Sequence, residues 1–464
     1  MIETSYTKKL VEHCNRIRFE DLSSEVIGYT GFLMLDFLGL APKGLFLEST
    51  QQIHSLIRKM GGRGNGTVIG TTLRTLPQYA ALANATASHS LSLDDIYTPA
   101  SIHPGSAIFA ASLAVAESVS ADGKRLIEGV VAGYETTLRI ADAVGSKEHY
   151  ALGWHPTATC GTFGATVAVS RILRLDADKT TSALGIAGSM ASGSMEFLED
   201  GSWTKRIHPG LAAQRGIQAA LLANEGFKGP RAILEGKWGF LRGTSRNPDP
   251  FRLIEKLEGR PRILDTGIKL HACCRYNQSP IDAVLNLKRE HDLGPHDIDK
   301  IRVEIFRDAF PLVVDPWEEK MDPKTDVQAQ FSLPYTVAAA VVRGRVSFEE
   351  FLPESLSDPS IREVMAKVKV AHDPELDPAF PISWPARVNV TTRDGRHLEN
   401  KVDFPRGDVN NPLTWDELVI RFKVHSKEVF DRTLQESIVE SLQRIHKVKD
   451  MKKFTGLLRI KGGD

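Results

Sequence analysis

The sequence predicts a mostly α-helical protein that carries a smaller α/β domain within its chain. The first half is rich in Ala, Gly and Ser and spaces its apolar residues as helices do. After about Gly259 the pattern changes to the alternation of apolar and polar residues that is typical of strands. A length of 464 residues favours two domains over one. We therefore expect a large helical domain formed by residues 1–261 and 405–464, and an α/β domain over residues 262–404.

The predicted helices of the first half carry small residues on several faces. Small side chains let neighbouring helices approach closely, so these helices are expected to be buried on more than one side. The runs cover residues 106–119, 130–144, 160–173 and 212–224. Helical patterns return over residues 415–422 and 426–446, which completes the helical domain from the other end of the chain.

Two patterns predict the strands of the insert. Residues 298–306 alternate apolar and polar side chains, which predicts a strand with one buried face. Residues 386–404 are typical of a β-hairpin, because Asp394 and Gly395 form a dipeptide favoured in two-residue turns. The insert is therefore expected to contain a small sheet.

Composition excludes several classes of protein. Lys+Arg and Asp+Glu are each 58, and this zero net charge lacks the commonest signature of a nucleic-acid-binding protein. The N-terminal residues are charged and lack the apolar core expected of a signal peptide. The most apolar stretch, residues 29–47, contains Asp36, Pro42 and Lys43, and we expect it to be interrupted before it could cross a bilayer. A cytoplasmic protein that binds neither membrane nor nucleic acid is predicted.

The cysteines favour no metal centre. No Cys-x-x-Cys motif is present, and an iron–sulfur cluster would need about three or four converging thiolates. The glycine-rich segment 61–66 lacks the flanking strand and helix of a dinucleotide-binding motif and is expected to be a loop. We therefore predict no metal and no cofactor. The four cysteines are Cys14, Cys160, Cys273 and Cys274.

Three of the 14 histidines are followed by proline, although random placement of the 24 prolines would give fewer than one such pair. Proline is favoured in the first helical turn, so each pair predicts a helix that begins beside a histidine. The helix dipole disfavours imidazolium there, and a neutral ring can exchange a proton with a substrate. Helix capping alone is the competing interpretation. The histidines are His103, His155 and His208.

Charged groups accompany these histidines. Lys205 and Arg206 precede the third His-Pro pair in a segment expected to be a loop leading into a helix, where cations could receive carboxylates. Asp94 and Asp95 lie between His89 and His103 and could serve acid–base chemistry or metal binding, or could simply lie in an exposed loop or cap a helix. Lys269, Cys274 and Arg275 open the insert with further cationic and nucleophilic groups, for which a structural role is the alternative.

Several of these segments together resemble the MmgE/PrpD family, and the resemblance extends from about residue 20 to residue 425. The longest matching segments are residues 153–164 (GWHPTATCGTFG), 183–193 (ALGIAGSMASG) and 200–210 (DGSWTKRIHPG). Shorter ones are residues 80–84 (AALAN), 101–106 (SIHPGS), 329–335 (AQFSLPY), 405–408 (PRGD) and 411–413 (NPL).

The resemblance implies a homodimer in which a large helical domain and a smaller α/β lid enclose a cofactor-free site for small di- or tricarboxylates. By motif, His103, His155, Lys205 and Tyr335 match catalytic positions of the family. The lid motif of the family matches Lys269 and its neighbours. We add the remaining predicted substrate-binding residues from their charge and position: Asp94, Asp95, Arg206, Cys274 and Arg275.

The chain departs from the family pattern in three places. Ser92 stands where members commonly have the first acid of an acidic motif, and Tyr97 stands near a common histidine position. Asn277 and Gln278 follow Cys-Cys-Arg where many members have a histidine. Because an amide cannot carry a proton at neutral pH, an acid–base partner is expected to be missing or to lie elsewhere.

The predicted function is that of a cofactor-independent lyase similar to 2-methylcitrate dehydratase, which removes a proton next to a carboxylate and expels water. Lys205 and Arg206 would stabilise enolate-like charge, His103 or His155 would act as base or acid, and Tyr335 would donate a proton or hydrogen bond. The alternatives are decarboxylation of a cis-aconitate-like acid, epimerisation of a substituted succinate, and a non-catalytic protein that binds polycarboxylates.

Overall fold

The computed structural model describes residues 5–60 and 62–460. Most of these residues lie in helices, which confirms the predicted mostly-α class. In chain order the helices are α1 Tyr6–Arg16, α2 Ser24–Gly44, α3 Glu48–Met60, α4 Pro77–His89, α5 Pro104–Ser118, α6 Gly123–Val144, α7 Ser146–Ala151, α8 Pro156–Ile172, α9 Ala177–Gly188, α10 Phe197–Asp200, α11 Thr204–Asn224, α12 Phe240–Thr244, α13 Gln278–Glu290, α14 Phe310–Val313, α15 Trp317–Lys320, α16 Asp326–Gln330, α17 Leu333–Arg343, α18 Pro353–Leu356, α19 Pro359–Ala366, α20 Trp415–Ser426, α21 Arg432–Gln443 and α22 Met451–Leu457.

The strands are short. They are β1 Gly66–Thr67, β2 Arg74–Thr75, β3 Asp95–Ile96, β4 Gly267–Ile268, β5 Ile298–Ile305, β6 Val368–His372, β7 Ala386–Thr392 and β8 His397–Val402. Of the glycine-rich segment, Gly61 lies outside the described residues and residues 62–65 have no regular structure. Its last residue begins β1, which pairs antiparallel with β2.

The described residues divide into two compact units. The first unit comprises those within Met1–Met195, Thr204–Thr266 and Thr414–Asp464, so it draws on both ends of the chain. The second comprises Glu196–Trp203 and Gly267–Leu413. The predicted domain boundaries at residues 261 and 404 stay a prediction.

One short segment differs from the predicted division. Residues 196–203 were expected in the helical domain, but they belong to the second unit. The reason is packing between residues distant in sequence, since the Phe197 ring of α10 lies 6.4 Å from the Phe331 ring. The pattern of neighbouring residues along the chain does not predict such a contact.

Close contact between helices builds the first unit. Helix α8 packs against α6 and α11, and α11 also packs against α4. A methyl group at Gly164 would lie 2.8 Å from the Gly133 carbonyl oxygen of α6. A methyl group at Gly210 of α11 would lie 2.7 Å from the Leu82 carbonyl oxygen of α4. Glycine is therefore required where these helices touch, as the small-residue pattern predicts.

The long helical runs are found where the sequence predicts them, in α5, α6, α8 and α11. The predicted helix over residues 426–446 is wrong at its start. Helix α20 continues to Ser426, and α21 begins only at Arg432, where the Asp431 side chain accepts a hydrogen bond from the Leu434 amide. This N-cap satisfies a free helix donor and sets a new helix start.

Helix α2 corrects the prediction that residues 29–47 are interrupted. The helix runs through Asp36, Pro42 and Lys43, because the Arg421 guanidinium of α20 lies 2.8 Å from the Asp36 carboxylate and Pro42 falls in the last turn. Among the described residues it is the one helix long and apolar enough to cross a bilayer by length and composition. Of the most apolar 18-residue window of α2, 67% is buried inside the protein. A buried core helix meets the same criteria of length and composition.

A four-stranded sheet with the order β6-β5-β7-β8 forms the framework of the second unit. Strand β5 pairs parallel with β6 and antiparallel with β7, and β8 completes the predicted hairpin with β7. Gly395 adopts a φ of +87° in the turn, as the Asp394-Gly395 dipeptide predicts. Alternate side chains of β5 and β7 are buried, and α13 packs on β7 and β8.

Candidate active site

Two of the three His-Pro pairs begin helices of the first unit, as predicted. His103 is the N-cap of α5 and His155 is the N-cap of α8, and each is followed by proline in the first turn. The His103 amide donates a hydrogen bond to the Thr157 hydroxyl of α8 (3.2 Å). The two helix starts are thus joined directly, and both imidazoles are buried.

The third His-Pro pair does not begin a helix, so the prediction is wrong for this pair. Helix α11 already begins at Thr204, so His208 lies in its second turn and Pro209 inside the helix. Pro209 supplies no N–H to the carbonyl four residues earlier, but the tertiary packing of α11 overrides this cost. Lys205 and Arg206 consequently lie in the first turn of the helix, not in a loop, and both are buried.

Four histidines assemble in the first unit, and we call them the histidine cluster. The rings of His89 and His103 have centroids 5.3 Å apart, and those of His89 and His155 are 6.2 Å apart. His155 and His208 follow at 5.1 Å. The cluster joins the end of α4, the starts of α5 and α8, and the second turn of α11.

Asp94 connects two of these rings. Its carboxylate lies 2.6 Å from His89 Nδ1 and 3.5 Å from His103 Nδ1, and it accepts a hydrogen bond from the Ser106 hydroxyl (2.9 Å). His103 Nδ1 also lies 2.7 Å from the Asp95 carbonyl oxygen. Because a carbonyl only accepts, His103 carries hydrogen on Nδ1, which leaves Nε2 of the neutral ring as a proton acceptor.

Asp95 has a different role from its neighbour. Its carboxyl group accepts hydrogen bonds from the Gly105 amide (2.9 Å) and the Tyr134 hydroxyl (2.6 Å). Burial is the main cause that raises the pKa of Asp95 well above its usual range, and the Asp94 charge adds to this effect. These contacts favour Asp95 as a structural cap for α5 that holds His103 in place, in contrast to the predicted contact with substrate.

Lys205 is the buried cation of this group. Its ammonium donates a hydrogen bond to the Ser92 hydroxyl (2.7 Å). Ser92 adopts a left-handed conformation with φ +54° and stands where the family resemblance predicts an acid, so in this hydrogen bond the lysine has a neutral partner. Arg206 donates to the Ser49 hydroxyl (3.2 Å).

The His155 and His208 rings share a hydrogen bond, with their Nδ1 atoms 2.9 Å apart. Burial lowers the pKa of His155 well below its usual range, and His208, His89, Lys205 and His103 lower it further. Burial also lowers the pKa of His208 to about 4, and His89, Arg215 and Lys205 add to this effect. Both rings are therefore neutral at pH 7, so one Nδ1 donates and the other accepts.

Three predicted residues of the second unit, Lys269, Cys274 and Arg275, lie in one stretch of the chain, which we call the Lys269–Arg275 segment. Arg275 forms a buried ion pair with Asp408 (2.6 Å), and burial is the main cause that lowers the pKa of Arg275. The Lys269 ammonium lies 3.4 Å from the Cys273 carbonyl oxygen. The Cys274 amide donates a hydrogen bond to the Gln330 carbonyl oxygen (2.9 Å).

The remaining departures and Tyr335 have structural contacts. Gln278 accepts a hydrogen bond from the His271 amide (3.1 Å) and donates to the His271 carbonyl (2.9 Å), so it braces this segment. Tyr97 donates to Asp142 (3.1 Å) in the first unit. Tyr335 is fully buried, and its hydroxyl donates to the Glu350 carbonyl (2.6 Å). These contacts favour a structural role for Tyr335, whose predicted catalytic role stays a prediction.

Sequence reasoning left His89 and His208 out of the predicted site. His208 carried the same His-Pro signal as His103 and His155, and His89 lies five residues before Asp94. Within the part of the chain that the structure describes, no group of three or more His, Cys, Asp or Glu side chains could hold a metal ion. Burial raises the pKa values of the Cys14 and Cys160 thiols to about 12.

Comparison with known proteins agrees with this arrangement of motifs. The model of the MmgE/PrpD N-terminal domain matches residues 8–252, and that of the C-terminal domain matches residues 271–446. The cis-aconitate decarboxylase-like protein oryM of Aspergillus oryzae is 27% identical over 98% of both chains. Cis-aconitate decarboxylase of Aspergillus terreus is 24% identical over 98% of this chain and 96% of its own. The human enzyme of that name is 25% identical over 99% of this chain and 95% of its own. The chain belongs to the MmgE/PrpD family.

Proposed function

We propose that the chain is a carboxy-lyase that removes CO2 from a small unsaturated tricarboxylate of the cis-aconitate type. The observation that carries the proposal is the histidine cluster, in which buried neutral imidazoles lie within electrostatic range of the buried Lys205 ammonium. Relatives that match nearly the full chain bear the name cis-aconitate decarboxylase, which favours this reaction over the predicted dehydration.

The first step of the proposed reaction is charge stabilisation. Lys205 receives a carboxylate of the substrate, and the pair of electrons freed by loss of CO2 spreads into the neighbouring double bond and carboxylate. A fixed cation in a site with little water stabilises such charge strongly. One donor of this kind contributes about 2.7–4 kcal/mol to the transition state in comparable sites.

The second step is protonation of carbon at one end of the allylic system over which the electron pair is spread. His103 is suited to this transfer, because Nδ1 is held by the Asp95 carbonyl and Nε2 is left to carry the exchangeable proton. The Asp94 carboxylate, 3.5 Å from Nδ1, offsets the positive charge of the ring while it holds two protons. His103 returns to its neutral form when the proton has moved to carbon, and solvent then restores the proton.

The test is an NMR assay with 13C-labelled cis-aconitate in D2O. We expect 13C-labelled CO2 or bicarbonate, together with a dicarboxylate that carries one deuterium at an end carbon of that allylic system. The matched control is Lys205→Ala, which should form product at least about a hundredfold more slowly. Absence of labelled CO2 with cis-aconitate and related tricarboxylates would overturn the proposal.

Dehydration is the second candidate, and the His155–His208 pair is the observation in its favour. Loss of water needs a base for the proton and an acid for the hydroxyl group, whereas decarboxylation needs a proton donor alone. The neutral pair adds a second proton carrier beside His103. In the same assay with 2-methylcitrate or citrate, an unsaturated product without labelled CO2 would identify a hydro-lyase.

A further inference from the structure

The hydrogen bond between His155 and His208 constrains where the protons of both rings lie. Each neutral imidazole has one N–H donor and one acceptor nitrogen. Because the two Nδ1 atoms face each other at 2.9 Å, the rings must be opposite tautomers. A ring that carries its proton on Nδ1 has an acceptor at Nε2, and a ring without a proton on Nδ1 has a donor at Nε2.

The main chain that carries both rings is held in place. The His155 amide donates to the Gly193 carbonyl (2.9 Å), and His208 stands inside the continuous helix α11. Gly193 also lies against the His208 ring, since a methyl group there would be 3.6 Å from ring carbon Cε1. The His155 ring also lies against the His89 ring (centroids 6.2 Å apart), whereas the His208 ring lies against Gly193. Because the surroundings of the two rings differ, the two possible positions of the shared proton differ in energy and one of them is favoured.

We propose that His208 is a positioning residue that locks His155 in a single tautomer and ring orientation. Nε2 of His155 then faces the substrate in one defined state, either with a proton or with a lone pair. This inference rests on the proposed function for its effect on rate, while the tautomer itself is a property of the protein without substrate. His208 needs no contact with the substrate for this role.

The direct test is 15N NMR of histidine-labelled protein without substrate, in which His155→Gln assigns the His155 signals. We expect the wild-type His155 ring to show the shifts of one neutral tautomer at pH 7. In His208→Leu, which removes the partner of Nδ1, the shifts should move toward the average of two tautomers. A mixed tautomer in the wild-type protein, or unchanged shifts in His208→Leu, would overturn the inference.

Kinetics supply the second readout. His208→Leu should lower kcat about tenfold to a hundredfold, the range for partners that orient a functional histidine, with KM within about twofold. His208→Asn places an amide near the position of Nδ1 and should recover most of the loss, and it also serves if the leucine variant fails to fold. Wild-type kcat in a folded His208→Leu protein would overturn the positioning role.

The control is His54→Leu, which removes another buried imidazole of the first unit, in α3. It should leave the His155 signals and kcat within about twofold of wild type. If no substrate is turned over at all, the proposed function fails, and the NMR result still decides whether His208 locks His155.

Discussion

The histidine cluster of the first unit and the Lys269–Arg275 segment of the second are both buried and polar, but they are stabilised in opposite ways. In the first, imidazoles bond to one another and to Asp94, and low pKa values keep His155 and His208 neutral. In the second, Arg275 is locked to Asp408 in a buried ion pair. A neutral ring can gain a proton without breaking such a pair, so we assign proton transfer to the first unit and framework to the second.

The largest expected effect tests the first half of this comparison. His103→Gln can still donate a hydrogen bond to the Asp95 carbonyl, but an amide cannot transfer a proton. General acid–base catalysis contributes about 10²–10⁴-fold, so kcat should fall by that factor while KM and the melting temperature stay near wild type. Steady-state kinetics with thermal melts provide the measurement. A folded variant that keeps more than about a third of kcat would transfer the role to His155.

The ion pair of the second unit tests the other half. Arg275→Met leaves the Asp408 carboxylate buried without its cation, which should cost about 3–5 kcal/mol in the free energy of unfolding. Urea unfolding is the measurement. The double variant Arg275→Met, Asp408→Leu should recover much of this loss, because it removes both charges. A single-variant loss below about 1 kcal/mol would show that Arg275 is not part of a fixed framework.

Lys205→Ala should lower kcat/KM at least about a hundredfold, since the buried ammonium would otherwise neutralise a substrate carboxylate. Steady-state kinetics on the proposed substrate measure it. The matched control is Lys179→Ala in α9, whose exposed ammonium donates to the Asn224 carbonyl, and we expect less than a twofold change. Near-wild-type kinetics for Lys205→Ala would make the lysine a structural residue.

Acid should weaken the first unit through its neutral histidines. Burial lowers the pKa of His54 to about 4 against an ordinary value of 6.5, so below pH 6.5 the unfolded chain binds the proton first. The stabilisation is fully present above pH 6.5 and is lost as pH falls toward 4, by up to about 3 kcal/mol for this group. Unfolding midpoints from pH 4.5 to 7.5 should fall less steeply for His54→Gln. Equal slopes for both proteins would contradict the assignment.

The smallest effect concerns Tyr335. Tyr335→Phe deletes the hydrogen bond to the Glu350 carbonyl and should cost about 1 kcal/mol of stability. If the hydroxyl is part of the framework, kcat should change less than about threefold. Kinetics and urea unfolding on the same preparation measure both quantities. A tenfold loss of kcat would restore the predicted catalytic role and bring the second unit into the chemistry.

The sequence predicts best what depends on neighbouring residues. The turn at Asp394 and Gly395 and the helix starts at His103 and His155 follow from local backbone preferences, and the structure contains all of them. His208 shares the local signal but lies inside a helix, because its environment is set by α11 as a whole.

Parts of the candidate site depend on contacts between distant segments, which local patterns do not contain. The Ser92 hydroxyl meets Lys205 across 113 positions of sequence, and His155 meets His208 across 53. A serine in place of an acid appears in the sequence only as a departure from a pattern. The structure gives it a physical meaning, a neutral partner for a buried cation.

The glycine contact between α4 and α11 has a consequence for which molecules the proposed reaction could accept. Gly210 follows Lys205 and His208 on α11 and rests against α4, the helix that ends at His89. Because Gly210 has no side chain, the two helices lie too close to slide or tilt past one another without a clash. The spacing between the backbones that carry Lys205, His208 and His89 is then set by this contact. For the proposed reaction, we expect such a spacing to favour substrates whose charged ends match it over those that are one carbon longer or shorter.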